Sequence, residues 1–228
     1  MQTGRTGKSL PFLMFVTPVL LWLFLLIVLP HIDLLLMSFR TEDDSGNMVW
    51  SLVNYINFFG EPIYWETFAR TAVYAVLVTL ITFAVSLPIA FYITKVASPR
   101  HSGFLSLLLL MPFWVSELVR VYGWMILLRE SGVVNHLLVR LGLLRHPMEM
   151  LYNDITMVMG LVYTSMLFMV VPLISVLDSL DDSLIEAAYD LGGSIFSIVP
   201  RIIIPHAMPG IVSGGIVVFM LTLGNYLT

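Results

Sequence analysis

Five long runs with almost no charge constrain this chain more than any other feature. They are residues 11–30, 71–94, 103–128, 155–177 and 207–228. Four contain no Asp, Glu, Lys or Arg, and the third contains only Glu117 and Arg120. A helix needs about 20 apolar residues to cross a hydrocarbon core about 30 Å thick, and each run is long enough. A strand-built barrel would alternate apolar and polar residues over about 10 positions, which continuous runs exclude. The expected fold class is therefore an all-α integral membrane protein, a polytopic helical bundle of five spans. Composition agrees: 58% of the chain is hydrophobic and 11% is charged, where soluble domains carry about 25% charge. A water-soluble enzyme is thereby excluded. A net charge of −4 argues against a nucleic-acid partner. With no cysteine there is no disulfide framework, thiolate metal site or cysteine nucleophile.

Pro18, Pro88, Pro112, Pro172 and Pro209 lie inside the runs and predict kinks rather than breaks, because neighbouring groups can satisfy the freed carbonyls. The first run is too long for a signal-peptide core and no small-x-small site follows it, so it reads as a retained helix. Arg5 and Lys8 precede it and favour a cytoplasmic N-terminus. Lys95, Arg100 and Arg201 then fall inside, and Arg40, Arg70, Arg129, Arg140 and Arg145 outside. Counting alone gives a tie. Residues 31–69 form a long outer segment with Glu42, Asp43, Asp44, Glu61 and Glu66, where Trp50, Tyr55, Phe58, Phe59 and Trp65 suggest a stretch at headgroup depth. Residues 129–154 form a second outer segment.

The inner segment 178–206 is neither a short turn nor a span. Ser183 and Glu186 have capping-box spacing, and Asp181 and Asp182 put negative charge where a helix start favours it. Leu184, Ala187, Ala188 and Leu191 follow at helical spacing, Gly192 offers a left-handed stop, and Ser194 can cap a second helix through Ile198. Pro200 and Pro205 then break or kink it. The residues alone leave open whether this is only a well-capped surface loop.

Glu186-Ala187-Ala188, Gly192 and, nine residues on, Ile202-Ile203-Ile204-Pro205 resemble the EAA motif of ABC-importer permeases, with Ile204 at a position usually held by Leu. Pro112-Phe113-Trp114, Arg120-Val121-Tyr122-Gly123-Trp124, Gly132 with Asn135, Gly160-Leu161-Val162-Tyr163 and Leu223-Gly224-Asn225-Tyr226 are similar to the spermidine/putrescine branch. The resemblance implies one type I permease domain whose residues 178–206 form the coupling segment. Ser183, Glu186, Ala187, Ala188, Gly192 and Pro205 would serve contact with an ATPase. It also implies a multi-pass protein of the bacterial inner membrane with its N-terminus in the cytoplasm. Partners would be two ATP-binding subunits carrying ATP and Mg, a second homologous permease and a periplasmic or lipid-anchored solute-binding protein. The chain itself would bind no cofactor. Permeases of this kind usually continue to a sixth helix, which is expected to be absent here.

No catalytic set or metal cluster is expected: the five histidines are dispersed, and the fourteen methionines read as packing. Gly4–Ser9 ends like a Walker A loop, but Gln2 stands where its first glycine belongs. Glu117 and Arg120 remain. A charge inside a span costs about 2.5–3.5 kcal/mol. At i,i+3 the two can neutralise one another structurally, or with Trp114 and Tyr122 they can line the solute path. The functional expectation is a polyamine importer's permease. The same machine for an organic anion, sugar derivative or metal complex is the nearest alternative. An ion-coupled secondary transporter or an intramembrane enzyme is more distant, since no internal repeat and no catalytic constellation is visible.

Overall fold

The computed structural model describes residues 9–43 and 46–225. Arg5, Lys8, the Gly4–Gly7 stretch, Asp44 and Tyr226 lie outside them. The chain divides into two compact units, residues 1–68 and 69–228.

In the first unit, α1 (Ser9–Leu23) continues through a π-helical turn (Phe24–Val28) into α2 (Leu29–Ser38). The apolar run expected to end at residue 30 therefore stays helical to Ser38. The reason lies at Pro30, whose missing N–H and bulky ring disrupt an ordinary helical turn. The turn before it widens, and the Leu29 N–H reaches back five residues to the Phe24 carbonyl. π turns recur at Tyr92–Val96, where the helix ends before extended Ala97, and at Val199–Ile203 ahead of Pro205.

The segment after α2 is more ordered than the sequence suggests. Strands β1 (Arg40–Glu42) and β2 (Met48–Trp50) pair antiparallel with Arg40 opposite Trp50, and the Arg40 guanidinium lies 4.9 Å from the centre of the Trp50 ring. Helix α3 (Val53–Gly60) follows. Tyr55 packs on Phe39 and shares a 2.8 Å hydrogen bond with Ser38. Phe58, Phe59 and Trp65 form one aromatic cluster with centroids 5.4–5.7 Å apart.

The second unit is built on three long helices: α4 (Pro62–Phe91, beginning in the first unit), α8 (Asp154–Asp178) and α11 (Ile204–Leu223). Each shows a face at i, i+3/i+4 spacing. On α4 the buried residues are Ala75, Val78, Thr82, Ser86 and Ala90; on α11 they are Ala207, Gly210, Gly214, Val218 and Thr222. Small residues let backbones approach closely, which drives association where lipid leaves no hydrophobic gain between helices. Met169, Leu173 and Leu177 of α8 are fully buried. α8 and α11 pack along their length.

The third run is the main departure. It does not form one helix: α5 (Pro99–Leu110) ends in a 3₁₀ turn (Met111–Trp114), and α6 (Glu117–Leu128) starts afresh. The axes bend by 92° at the break. Pro112 opens the 3₁₀ turn, and Val115 and Ser116 both carry ψ above 130°. Among the described residues, four helices are long and apolar enough to cross a membrane, five if the bent pair counts as one span. Past α6, α7 (Val133–Arg140) is held by the fully buried Asn135, whose amide donates to the Arg129 and Met148 carbonyls and whose oxygen accepts from the Met148 N–H. Gly132 and Asn135 thus organise the loop between α6 and α8.

Candidate functional site

The segment between α8 and α11 folds as a helix, a glycine turn and a second short helix: α9 (Asp182–Asp190) and α10 (Ile195–Ile198). The cap is not the expected one. Asp181 is the N-cap, its carboxylate accepting from the Ser183 N–H at 3.0 Å. That backbone hydrogen bond, reinforced by the Ser183 hydroxyl and the nearby Lys95 charge, holds the Asp181 carboxyl below its ordinary range. Ser183 therefore sits inside the first turn, and Glu186 lies too far along to complete a box with the cap. Asp and Ser cap about equally well, and it is the extended backbone at Asp181 (φ −70°, ψ 126°) that makes it the cap.

α9 ends in a Schellman motif. Gly193 N–H donates to the Ala188 carbonyl at 2.9 Å and Gly192 N–H to the Tyr189 carbonyl at 2.8 Å, with Gly192 at φ +80°. Ser194 and Ser197 then form a capping box for α10. Pro200 and Pro205 do not break the chain, because the π turn carries the helix on into α11. Pro205 is exposed near that start.

The faces of α9 differ from the expected stripe. Ile185 is buried and Ala188 half-buried. Leu184, Glu186, Ala187 and Tyr189 are exposed, Leu191 is 89% exposed and Phe196 88%. Bare apolar side chains on a short helical segment between two long helices suit a contact surface. What anchors α9 is a residue that sequence reasoning used only as a topology signal. Lys95, at the end of α4, donates to the Leu180 carbonyl at 2.5 Å and to the Asp182 carboxylate at 2.8 Å. The run of charge at 181–182 was visible in sequence; its partner eighty-odd residues earlier was not.

Glu117 and Arg120 occupy the first turn of α6, where a carboxylate suits the helix dipole. Among the described residues they form no ion pair; the pairs present are Arg70–Asp154 and Lys95–Asp182, both 2.8 Å. Both do line one cavity of about 270 Å³, together with Phe113, Thr164, Ser165, Phe168 and Asn225. The Arg120 Nε is buried there without a partner. Arg120 also lines an apolar cavity of about 470 Å³ beside Pro88 and Tyr163. Trp114 and Tyr122 line neither. Trp114 is 90% exposed and precedes the break; Tyr122 is exposed, five residues or about 140° around the helix from Glu117. The pair belongs to a shared cavity, and the two aromatics do not.

No protein-family model matches the sequence. Individual proteins do. The chain is 36% identical over 207 residues to the spermidine/putrescine transport system permease protein PotB of Escherichia coli, covering 90% of this chain and 74% of that one. It is 33% identical over 207 residues to PotB of Haemophilus influenzae, covering 90% and 72%. The chain belongs to the spermidine/putrescine permease family of ABC importers. A more distant relative, the inner membrane ABC transporter permease protein YdcU of E. coli, is 29% identical over 95% of this chain and 73% of its own length. The fold matches a bacterial ABC transporter involved in the import of the acidic polysaccharide alginate, with TM-score 0.75 at 18% identity, over 96% of this chain and 77% of that one. A second structure of the alginate transporter, in complex with a periplasmic protein bound to alginate pentasaccharide, has TM-score 0.71 over 91% and 72%. As a permease of this family, the chain is an all-helical membrane subunit of an ABC importer, not itself an enzyme.

Proposed function

We propose that this permease imports polyamines such as spermidine and putrescine across a bacterial inner membrane, with its N-terminus in the cytoplasm. The observation that carries the reading is the 33–36% identity to PotB proteins over 90% of the chain. Two ATP-binding subunits, which bind ATP and Mg, engage Leu184, Ala187, Leu191 and Phe196 and the turn at Gly192. A second permease completes the pathway, and a periplasmic binding protein delivers the cargo. Lys95 and α9 lie on one side of the unit, which supports a topology that puts both inside. Glu117, an exposed residue, offers a carboxylate at the cavity it shares with Arg120, where it can pair with a polyamine ammonium. Phe113 and Phe168, in T-shaped contact at 6.0 Å, give that cavity an aromatic wall.

A second reading has its own support. The buried, unpartnered Nε of Arg120 suits an anionic group, and an organic-anion cargo would make Arg120 the binding residue and Glu117 its counter-ion. Uptake into proteoliposomes holding the permease pair, ATPase and receptor separates the two. Labelled spermidine should accumulate only with ATP. Glu117→Gln should weaken uptake about tenfold, the size of one lost charge-assisted contact, with ATPase association unchanged. Spermidine uptake untouched by Glu117→Gln, with assembly lost in Arg120→Gln, would make the pair structural; ATP-driven uptake of an organic anion in place of spermidine would favour the anionic reading.

A further inference from the structure

We propose that Lys95 is the strut that carries movement of α9 to helix α4; this rests on the reading of α9 as the ATPase contact. Connectivity limits how α9 can act on α4. α9 is joined to α8 through residues 179–181 and to α10 and α11 through the Gly192–Gly193 turn. It has no chain connection to α4, which ends more than eighty residues earlier. A displacement of α9 reaches α8 and α11 along the backbone, but reaches α4 only through side-chain contact.

Lys95 supplies that contact at the corner where α8 turns into α9. Its side chain is 6% exposed, unusual for a lysine, and its ammonium is fixed by two acceptors of different kinds. The Leu180 carbonyl belongs to the turn itself, and Leu180 is buried. The Asp182 carboxylate belongs to the first turn of α9. The lysine therefore grips both sides of the corner rather than one flexible side chain. Asp181, between them, is committed to the Ser183 N–H, so the corner is rigid.

The α4 end is equally well fixed. Lys95 lies in the π turn Tyr92–Val96, whose Ile93 is buried and which packs on α8. On the other side of the corner, His206 Nε2 lies 3.2 Å from the Val176 carbonyl and 3.3 Å from the Ser179 hydroxyl, tying α11 to the end of α8. The inner end of α8 is thus clamped from both neighbours, and on the α4 side the clamp is a buried cation. Charge-assisted bonds to a buried ammonium are short and directional, so the contact transmits displacement in both directions.

The test uses the complete importer with receptor in proteoliposomes, measuring spermidine uptake and ATP hydrolysis in the same sample. Lys95→Met keeps length and packing and removes both bonds. Assembly with the ATPase should persist and hydrolysis should continue, while uptake per ATP falls about tenfold, the scale of a typical coupling energy. Lys95→Arg should retain most of the ratio and Asp182→Asn should give an intermediate loss. An unchanged uptake-to-ATP ratio in Lys95→Met, with the ATPase bound, would overturn the strut and leave the ATPase contact intact. Uptake and hydrolysis falling together with loss of the complex would assign Lys95 a merely structural role and also overturn it. Failure of the unaltered permease to bind the ATPase would instead remove the reading on which the strut depends.

Discussion

Gly192 and Gly193 illustrate how two adjacent identical residues take different roles. Gly192 sits at φ +80°, with nothing near the position a Cβ would occupy. An added methyl meets open space and costs only the left-handed backbone, about 1–2 kcal/mol. Gly193 has an ordinary backbone, but a Cβ there would lie 2.6 Å from the Ala188 carbonyl oxygen, the acceptor of its own capping bond. That oxygen is backbone and cannot swing away. Gly193→Ala should therefore damage the turn more than Gly192→Ala, lowering ATP-driven uptake further and loosening ATPase association in pull-down. Equal effects, or the reverse order, would mean that α9 does not end in this motif when the importer is assembled. The EAA pattern draws attention to Gly192; only the geometry adds Gly193.

At the scale of elements, the unit over residues 69–228 depends on close approach of α8 and α11. A Cβ on Gly214 would lie 3.0 Å from the Met169 sulfur and 3.1 Å from the Met169 Cα, and one on Gly210 would lie 2.9 Å from the Pro172 carbonyl oxygen. Gly214→Val should force the helices apart at a point where Met169 is fully buried. Overpacking of this kind costs about 1–3 kcal/mol. The expected result is a lower unfolding temperature of the detergent-solubilised permease, whereas Ser213→Val, one residue away on an exposed face, should leave it unchanged.

The helical elements were largely legible as apolar runs, because lipid demands length and lack of charge and the sequence can meet that demand in few ways. The break between α5 and α6 was less so. Pro112 warned of a kink, but a 92° bend depends on the extended conformation at Val115 and Ser116, which no residue type there dictates. The hairpin of residues 40–50 escaped notice because its strands are three residues each, too short for alternation to register. The cap at Asp181 was misassigned by two residues, since Asp181, Asp182 and Ser183 are all good caps and only backbone geometry chooses among them.

At the scale of the whole molecule, the EAA residues and their position point to residues 178–206 as the coupling segment, whereas the cavity residues were legible only as isolated charges. Glu117 and Arg120 stand out in any apolar run, but Thr164, Ser165 and Asn225, from two other parts of the chain, join them only through tertiary packing. The same holds for Lys95, which meets Asp182 across 87 residues of sequence. On this reading, energy enters the permease by contact at α9 and α10. The natural absence of cysteine makes that claim open to a direct measurement, because a single introduced thiol has no background. Leu191→Cys and Phe196→Cys, placed at the two most exposed apolar positions of the segment, should each crosslink to the ATPase subunit in membranes, with a yield that changes on adding ATP. Trp50→Cys, on the hairpin assigned to the outer side, should not. Crosslinking from Trp50 in place of Leu191 and Phe196, or ATP-driven uptake with neither thiol ever meeting the ATPase, would contradict the account.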